Sequence, residues 1–135
     1  MMRAKLLASL ALIVSTGHAL AVEADFIDGV FSTEEGCLAL TNKDPDANPV
    51  RLSRKGFDEI EWHCGFMGID HQVQPEAWVA TLLCEEPGYI YPDMVAMRFE
   101  DEKTLRVNFL SDEMAARAGG DPAYGEPFVR CEGVE

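Results

Sequence analysis

The sequence predicts a mainly β domain, a small antiparallel curved sheet or barrel with one or two short helices, stapled by disulfides. Two observations predict this fold. Apolar and polar residues alternate with a period of two along several segments, and these segments occur in pairs around short polar stretches. Four cysteines follow a leader typical of exported proteins, where they would oxidise. Because the strands are apolar on one face only, a parallel sheet is disfavoured.

The N-terminus has the pattern of a secretory signal peptide. A short basic stretch, Met1-Met2-Arg3-Ala4-Lys5, precedes an apolar run from Leu6 to Val14 and the small residues Ala19-Leu20-Ala21. The apolar run is shorter than the roughly 20 residues that span a bilayer. We therefore expect cleavage after Ala21, no membrane anchor in the mature chain, and a periplasmic or secreted location. Residues 22–135 are then expected to form one disulfide-bridged domain.

The mature chain is strongly acidic. The predicted leader contains two of the 11 Lys and Arg residues and none of the 24 Asp and Glu residues, which leaves 9 basic against 24 acidic side chains, a net charge of −15. This charge repels nucleic acid and anionic membranes, and it accelerates encounter with cations and basic proteins. A basic protein is therefore the expected partner, and nucleic acid is not.

The first predicted hairpin brings two cysteines together. Ile60, Trp62, Cys64 and Phe66 share one strand face, with Glu59, Glu61 and His63 on the other. In a second strand, Trp78, Ala80, Leu82 and Cys84 share a face. If the turn is centred near residue 74, Cys64 lies opposite Cys84.

This register favours the pairs Cys64–Cys84 and Cys37–Cys131. The pairing Cys37–Cys64 with Cys84–Cys131 stays open, because it requires only that an early helix pack over the sheet. No Cys-x-x-Cys spacing indicates a redox or zinc site.

The remaining elements are shorter. A strand is predicted over 26–31, then a capping box, Ser32 to Glu35, that begins a helix through Leu40. A second hairpin pairs the alternating runs 95–99 and 105–109. Ser111 is predicted to cap a helix that ends at Gly119-Gly120, followed by a loop over 121–127 and a closing strand over 128–131.

Three residues are candidate metal ligands: His63, Asp70 and His71. Two imidazoles and a carboxylate could hold zinc or copper if they converged, although the alternation places His63 on the polar face and His71 in a turn. Tyr89 and Tyr91, in a predicted loop after Pro87-Gly88, are the candidates for an exposed contact surface. We find no nucleophile motif, so neither catalysis nor a cofactor is expected.

The mature chain resembles small exported four-cysteine proteins of proteobacteria, mainly alphaproteobacteria. The shared features are Gly29-Val30-Phe31, Cys37, the Glu-x-x-Cys strand from Glu61 to Cys64, the strand from Trp78 to Cys84, and Phe128 to Cys131. The resemblance implies a periplasmic setting and no particular activity.

A weaker likeness is to the periplasmic inhibitors of C-type lysozyme, which are disulfide-bridged β-barrels, although their Ser-Gly-x-x-Tyr signature is absent. The expected function is thus a non-enzymatic binding or structural domain with an acidic surface. The alternatives are an inhibitor of a cationic hydrolase and a small metal-binding protein.

Overall fold

A computed structural model describes residues 21–118 and 125–135 of the chain. Its elements are, in order, β1 Phe31–Ser32, α1 Glu34–Asn42, β2 Arg51–Ser53, β3 Gly56–Glu59, β4 Trp62–Val73, β5 Glu76–Glu86, β6 Tyr89–Phe99, β7 Thr104–Phe109, α2 Asp112–Arg117 and β8 Glu126–Arg130. This confirms the mainly β fold class. The predicted leader lies outside the described residues except for Ala21, as do the predicted helix stop Gly119-Gly120 and the loop residues 121–124.

The eight strands form a closed antiparallel barrel. Each strand pairs with the next along the chain, and β8 returns to pair with β1. Successive connections alternate between the two ends of such a barrel. One end, called here the helical end, therefore contains α1, the β3–β4 turn, the β5–β6 turn and α2. The other end contains the β2–β3, β4–β5 and β6–β7 turns.

The β4–β5 hairpin has the predicted register at its cysteines. Cys64 lies opposite Cys84 and is bonded to it, and the second disulfide joins Cys37 to Cys131, so the favoured pairing is confirmed. The strands extend much further than predicted, through the polar stretch as far as Val73. A bulge at Met67 shifts the register by one residue beyond Phe66.

The β6–β7 hairpin is also confirmed, with Val95 opposite Phe109 and Phe99 opposite Leu105. Its first strand begins at Tyr89, so the prediction of a loop over 89–92 is wrong. Pro92 is tolerated because it lies beyond the last residue paired with β7, where β6 has a strand neighbour on one side only.

The region before α1 differs from the prediction. The expected strand over 26–31 is reduced to the two residues of β1. Thr33 caps the helix, with its hydroxyl accepting a hydrogen bond from the Gly36 amide at 3.0 Å. Ser32 is not the cap, because its buried hydroxyl donates to the Val50 carbonyl at 2.6 Å. The capping-box prediction is therefore wrong by one residue.

Side chains fill the barrel. The largest fully buried ones come from every part of the sheet, from the N-terminal segment and from α2: Trp62, Phe31, Phe57, Phe66, Phe128, Ile27, Leu52, Leu82, Met97, Leu105, Met114 and Val95. Eight strands enclose just enough space for such a packed core. Ile60, predicted to share the inner face with Trp62, instead lies in the β3–β4 turn and is 71% exposed.

Segments outside the sheet cover both barrel ends. At the end opposite the helices, the N-terminal segment is bound by a hydrogen bond from the Ala24 amide to the Arg54 carbonyl at 2.7 Å. Phe26 stacks on Trp78 there, with ring centroids 4.2 Å apart. At the helical end, Met114 of α2 is fully buried. The barrel interior therefore has no room for a ligand, and a binding site must lie on the surface of the molecule.

Candidate functional site

Helix α2 is attached to the barrel through its cap. The Ser111 hydroxyl accepts a hydrogen bond from the Met114 amide at 3.3 Å and donates one to the Asp93 carboxylate at 2.6 Å. Asp93 is buried on β6 and also accepts from the Met94 amide at 2.7 Å. Because a buried carboxylate needs such donors, this contact fixes the start of α2 over the helical end.

The other end of α2 is held by an ion-pair cluster. The Arg117 guanidinium donates to Glu59 of β3 at 2.7 Å and also donates to Glu86 of β5. It lies over the Trp62 ring, 5.7 Å from the centroid. Burial lowers the pKa of Arg117, but the carboxylates of Glu86 and Glu59 outweigh burial and raise that pKa above its ordinary value. The charge of Arg117 is thus already matched by its two acidic neighbours.

The two tyrosines extend this cluster. The Tyr91 hydroxyl accepts from the Trp62 indole at 2.9 Å and donates to Glu86 at 3.3 Å. The Tyr89 hydroxyl also donates to Glu86, and this bond is the main cause that raises the pKa of Tyr89 to about 12. The rings stack with centroids 5.5 Å apart. Tyr89 is 53% exposed, whereas Tyr91 is partly buried.

A cleft of about 700 Å³ lies beside this cluster, between α1, the end of α2 and β8. We call it the acidic cleft, and it is lined by Thr33, Glu34, Glu35, Leu38, Asn48, Pro49, Val50, Arg117, Ala118, Glu126, Pro127 and Val129. The three carboxylates of the cleft are positioned by the starts of α1 and β8. Glu34 and Glu35 occupy the first turn of α1, where the helix dipole favours negative charge, and Glu126 begins β8.

The acidic cleft has a net negative charge. Among the lining residues given above, Arg117 is the one cation, and it is paired with Glu59 and Glu86, which lie outside the cleft lining. No ion pair within the described part of the chain engages Glu34 or Glu35. Burial raises the pKa of Glu126, although Arg106 partly opposes this. The cleft therefore presents incompletely neutralised carboxylates beside apolar side chains.

The structure does not bring the three candidate metal ligands together. They lie along β4, with His63 near one end and His71 near the other. Asp70 and His71 are neighbours in a strand and so project to opposite faces. His71 stacks on Trp78, with centroids 4.9 Å apart, and lies 3.4 Å from Glu76. Within residues 21–118 and 125–135, no group of three or more His, Cys, Asp or Glu side chains could hold a metal ion.

Sequence reasoning did not find the acidic cleft or the Arg117 cluster. The signals present were the two glutamates that follow Thr33 and the arginine in the last turn of α2. Neither signal indicates which distant segments meet. The cleft joins residues from 33 to 129, and only the closed barrel brings them together.

The fold and the cleft define the class of this chain: a side-chain-filled, disulfide-bridged antiparallel barrel with an acidic cleft at its helical end. Comparison with known proteins returns no family model, no curated sequence and no solved structure that matches. In the part of the chain that the structure describes, no helix is both long and apolar enough to cross a membrane.

Proposed function

We propose that this protein is an exported, non-enzymatic binding domain of the periplasm that binds a basic protein through the acidic cleft. One observation carries the proposal. Three glutamates line the cleft, while the cation among its lining residues is held by carboxylates outside it. A concave surface with this charge suits a positively charged side chain of a partner.

The lining of the cleft fits a lysine or arginine side chain. The aliphatic stem of such a residue gains stability from apolar contact, which Leu38, Pro49 and Val129 can supply. Its charged end would then meet Glu34, Glu35 or Glu126. Hydrogen bonds between charged groups are about twice as strong as neutral ones, and arginine can make two in parallel to one carboxylate.

Export is supported by different observations. The leader pattern precedes the domain, and both cysteine pairs are oxidised in the structure. Disulfides persist mainly in oxidising compartments such as the bacterial periplasm. The partner is then expected to be another envelope protein or an exported basic protein.

A basic C-type lysozyme is the second candidate partner, because the barrel and the acidic charge are both features of the lysozyme inhibitors that the sequence weakly resembles. Inhibition requires that the complex block the lysozyme active site. A bacterial cell-wall lysis assay with equimolar barrel protein distinguishes an inhibitor, which stops lysis, from a domain that binds basic proteins without blocking them.

The experiment compares two variants of equal charge. In one, Glu34, Glu35 and Glu126 are replaced by Gln. In the other, the exposed residues Glu61, Glu102 and Glu135 are replaced by Gln. Binding of pentalysine, penta-arginine and a basic lysozyme to oxidised residues 22–135 is measured by calorimetry at low and high salt. We expect the cleft variant to weaken binding about tenfold, and the control variant about twofold or less. Equal losses in both variants would reject the cleft and leave only non-specific charge attraction.

The pH dependence gives a second prediction. Because burial raises the pKa of Glu126, this carboxyl keeps its proton to higher pH in the free protein than an ordinary glutamate does. A bound cation favours the ionised form, so binding releases a proton and affinity rises as pH increases through the raised pKa. The E126Q variant should lose this pH dependence.

Measuring the stability of E126Q shows whether weaker cation binding comes from the lost carboxylate or from misfolding. A raised carboxyl pKa favours the folded state at low pH, and that contribution is lost as pH rises. We therefore expect E126Q to unfold at slightly higher urea concentration than wild type at pH 7 while binding cations less well. A variant that lost both stability and binding would contradict the proposed role of Glu126.

A further inference from the structure

The outer face of β5 and β6 carries a continuous apolar surface. Six of the exposed large apolar side chains of the described residues lie on or beside it: Met67, Val79, Leu83, Ile90, Met94 and Leu110. Their exposed fractions range from 39% at Met94 to 73% at Leu110. Exposed apolar residues are ordinary when scattered, but a contiguous group on a small protein indicates a contact surface.

The strand register shows that these side chains are contiguous. Across β5 and β6, Thr81 lies opposite Met94, Leu83 opposite Pro92, and Val79 opposite Ala96. Outward-facing neighbours along each strand are two residues apart. A groove of about 500 Å³ runs over this face, with Val79, Met94, Ala96 and Leu110 in its lining. We call this surface the apolar face.

Acidic residues border the apolar face on three sides. Asp70 of β4 lies opposite Val79, Glu85 of β5 lies opposite Ile90, and Asp112 at the start of α2 lines the groove. Arg98 lies at the remaining border, two residues beyond Ala96. An apolar strip with acidic borders is complementary to a segment that has one apolar side and basic flanks. The net charge, −13 for the full chain and −15 after the expected cleavage, disfavours a second copy of this chain as the occupant.

The closed barrel also restricts the shape of the occupant. The barrel is closed, and the stretch of β6 that lacks a β7 partner contains Pro92, which has no N–H. Contacts from Ser111 and Met114 to Asp93 and Tyr91 place α2 beside this stretch, so β6 offers a further strand little free edge at the apolar face. A partner must therefore lie across the outward side chains. An amphipathic helix does this when its apolar residues at i, i+3, i+4 and i+7 enter a groove.

We propose that the apolar face is a docking surface for a basic amphipathic helix of another protein. The helix lies across the apolar face, from the groove at Val79 and Met94 to Leu83, with its lysines or arginines toward Asp70, Glu85 and Asp112. This surface is separate from the acidic cleft and extends binding to a second site. Its test does not depend on the cleft.

The probe is a synthetic 14-residue peptide of Leu and Lys whose leucines recur at i, i+3, i+4 and i+7. A scrambled peptide of the same composition has no apolar side, and a Leu–Glu peptide reverses the charge. Binding to oxidised residues 22–135 is followed by fluorescence anisotropy, and the contacted side chains are identified from methyl chemical-shift changes. We expect the amphipathic basic peptide to bind at least about tenfold more tightly than either control peptide.

Two substitutions locate the site on the barrel. Leu83→Lys and Met94→Lys each place a charge on the apolar face, and we expect each to weaken peptide binding about fivefold or more. Val73→Lys makes the same change in charge at an exposed residue near the β4–β5 turn, on the opposite end of the barrel from α2, and should alter binding by less than about twofold. Thermal unfolding of all three variants checks that they fold.

Four results would overturn the proposal. The first is equal binding of the scrambled peptide, and the second is equal loss in the Val73→Lys variant. The third is adsorption to phosphatidylcholine vesicles that Met94→Lys abolishes, which would assign the face to lipid. The fourth is a dimer in sedimentation that Met94→Lys dissociates, which would assign the face to a second copy. None of these results bears on the glutamates of the cleft, so the two proposals can fail separately.

Discussion

Glu86 is the residue on which the polar contacts of the helical end converge. Its carboxylate accepts hydrogen bonds from Tyr89, Tyr91 and Arg117. An acceptor that carries a negative charge stabilises the neutral phenol over the phenolate, which raises the pKa of Tyr89 to about 12. Tyr89 is therefore held as a donor over the whole physiological pH range, with its ring half exposed beside Tyr91.

We predict that Glu86→Gln returns the pKa of Tyr89 toward its ordinary value of 10, because the substitution removes the charge while keeping an oxygen acceptor. Ultraviolet titration of tyrosine ionisation, with Tyr89→Phe to assign the signal, measures this change. Glu85→Gln is the matched control, because Glu85 is exposed on the outer face of β5 and makes no hydrogen bond to Tyr89. An unchanged titration curve in Glu86→Gln would contradict the assigned cause.

The same shift predicts how stability depends on alkaline pH. A group whose pKa is raised in the folded state stabilises that state fully below its unfolded pKa, and this contribution is lost as pH rises through the folded pKa. For Tyr89, the loss falls between about pH 10 and about pH 12. Urea unfolding across this range should show a shallower decline in Tyr89→Phe than in wild type.

At the scale of elements, α2 is a six-residue helix that depends on contacts at both of its ends. A helix this short is unstable alone, so tertiary contacts must supply its stability. Ser111 and Asp93 hold its start, and Arg117 ties its end to β3 and β5. Because Arg117 also lines the acidic cleft, the cluster fixes the position of one cleft wall.

We predict that Arg117→Ala lowers the free energy of unfolding by about 1–3 kcal/mol, because it leaves the largely buried carboxylates of Glu59 and Glu86 without their cation. Arg117→Lys should cost less than Ala, since it keeps the charge but cannot bridge both carboxylates with a planar guanidinium. Urea unfolding of both variants provides the measurement.

Two comparisons make this prediction specific. Arg98→Ala removes an exposed arginine on β6 and should change stability by less than about 0.5 kcal/mol. The double variant Arg117→Ala with Glu59→Gln should cost less than the sum of the two single variants, because the residues interact directly. Additive costs would show that the ion pair does not stabilise the fold.

The elements that the sequence predicted best are the long strands with one buried face. In β5, Trp78, Ala80, Leu82 and Cys84 are all buried, as the period-two pattern indicates. β2 and β3 went unpredicted because three and four residues are too short to show a period. The β4 bulge at Met67 was also not visible in the sequence pattern. Beyond the bulge, the residues that face the barrel interior are shifted by one position. This change places His71 against Trp78, away from the turn where it was predicted.

Local sequence patterns were also the limit on predicting the candidate site. Tyr89 was identified as an exposed aromatic from local sequence alone, and its exposure follows from its place beside a tight turn. The acidic cleft was not identified, because its glutamates come from α1 and β8, about 90 residues apart. Which acids among 24 lie together depends on barrel closure, and no local pattern reports that contact.

At the scale of the whole molecule, barrel closure rests on a short seam. β1 contributes two residues, and its pairing with β8 consists of Phe31 opposite Arg130 and Ser32 opposite Val129. By contrast, β4 and β5 pair over most of their 12 and 11 residues. The Cys37–Cys131 disulfide joins the element after β1 to the residue after β8, so it spans this seam. This disulfide therefore supports closure of the barrel, and it also supports the acidic cleft, which lies between α1 and β8.

We predict that the two disulfides differ in what they hold together. Cys37–Cys131 closes a loop of 94 residues and Cys64–Cys84 one of 20. Chain-entropy estimates give losses of about 4.7 and 3.3 kcal/mol when each is removed. We expect the two disulfides to differ more in their effect on local opening of the barrel than in their effect on global stability. Replacing Cys37 and Cys131 by Ala should increase amide hydrogen exchange in β1 and β8 under conditions where the protein remains globally folded, while the β4–β5 amides stay protected.

Replacing Cys64 and Cys84 by Ala is the matched control, since their strands keep a long ladder of hydrogen bonds. In that variant we expect the exchange of the β1 and β8 amides to follow global stability only. The proposed cleft adds a functional consequence: pentalysine binding should weaken in the Cys37–Cys131 variant, because one cleft wall separates from another. Uniform exchange in both variants would show that the seam is no weaker than the rest of the barrel, and closure would then rest on the packed core alone.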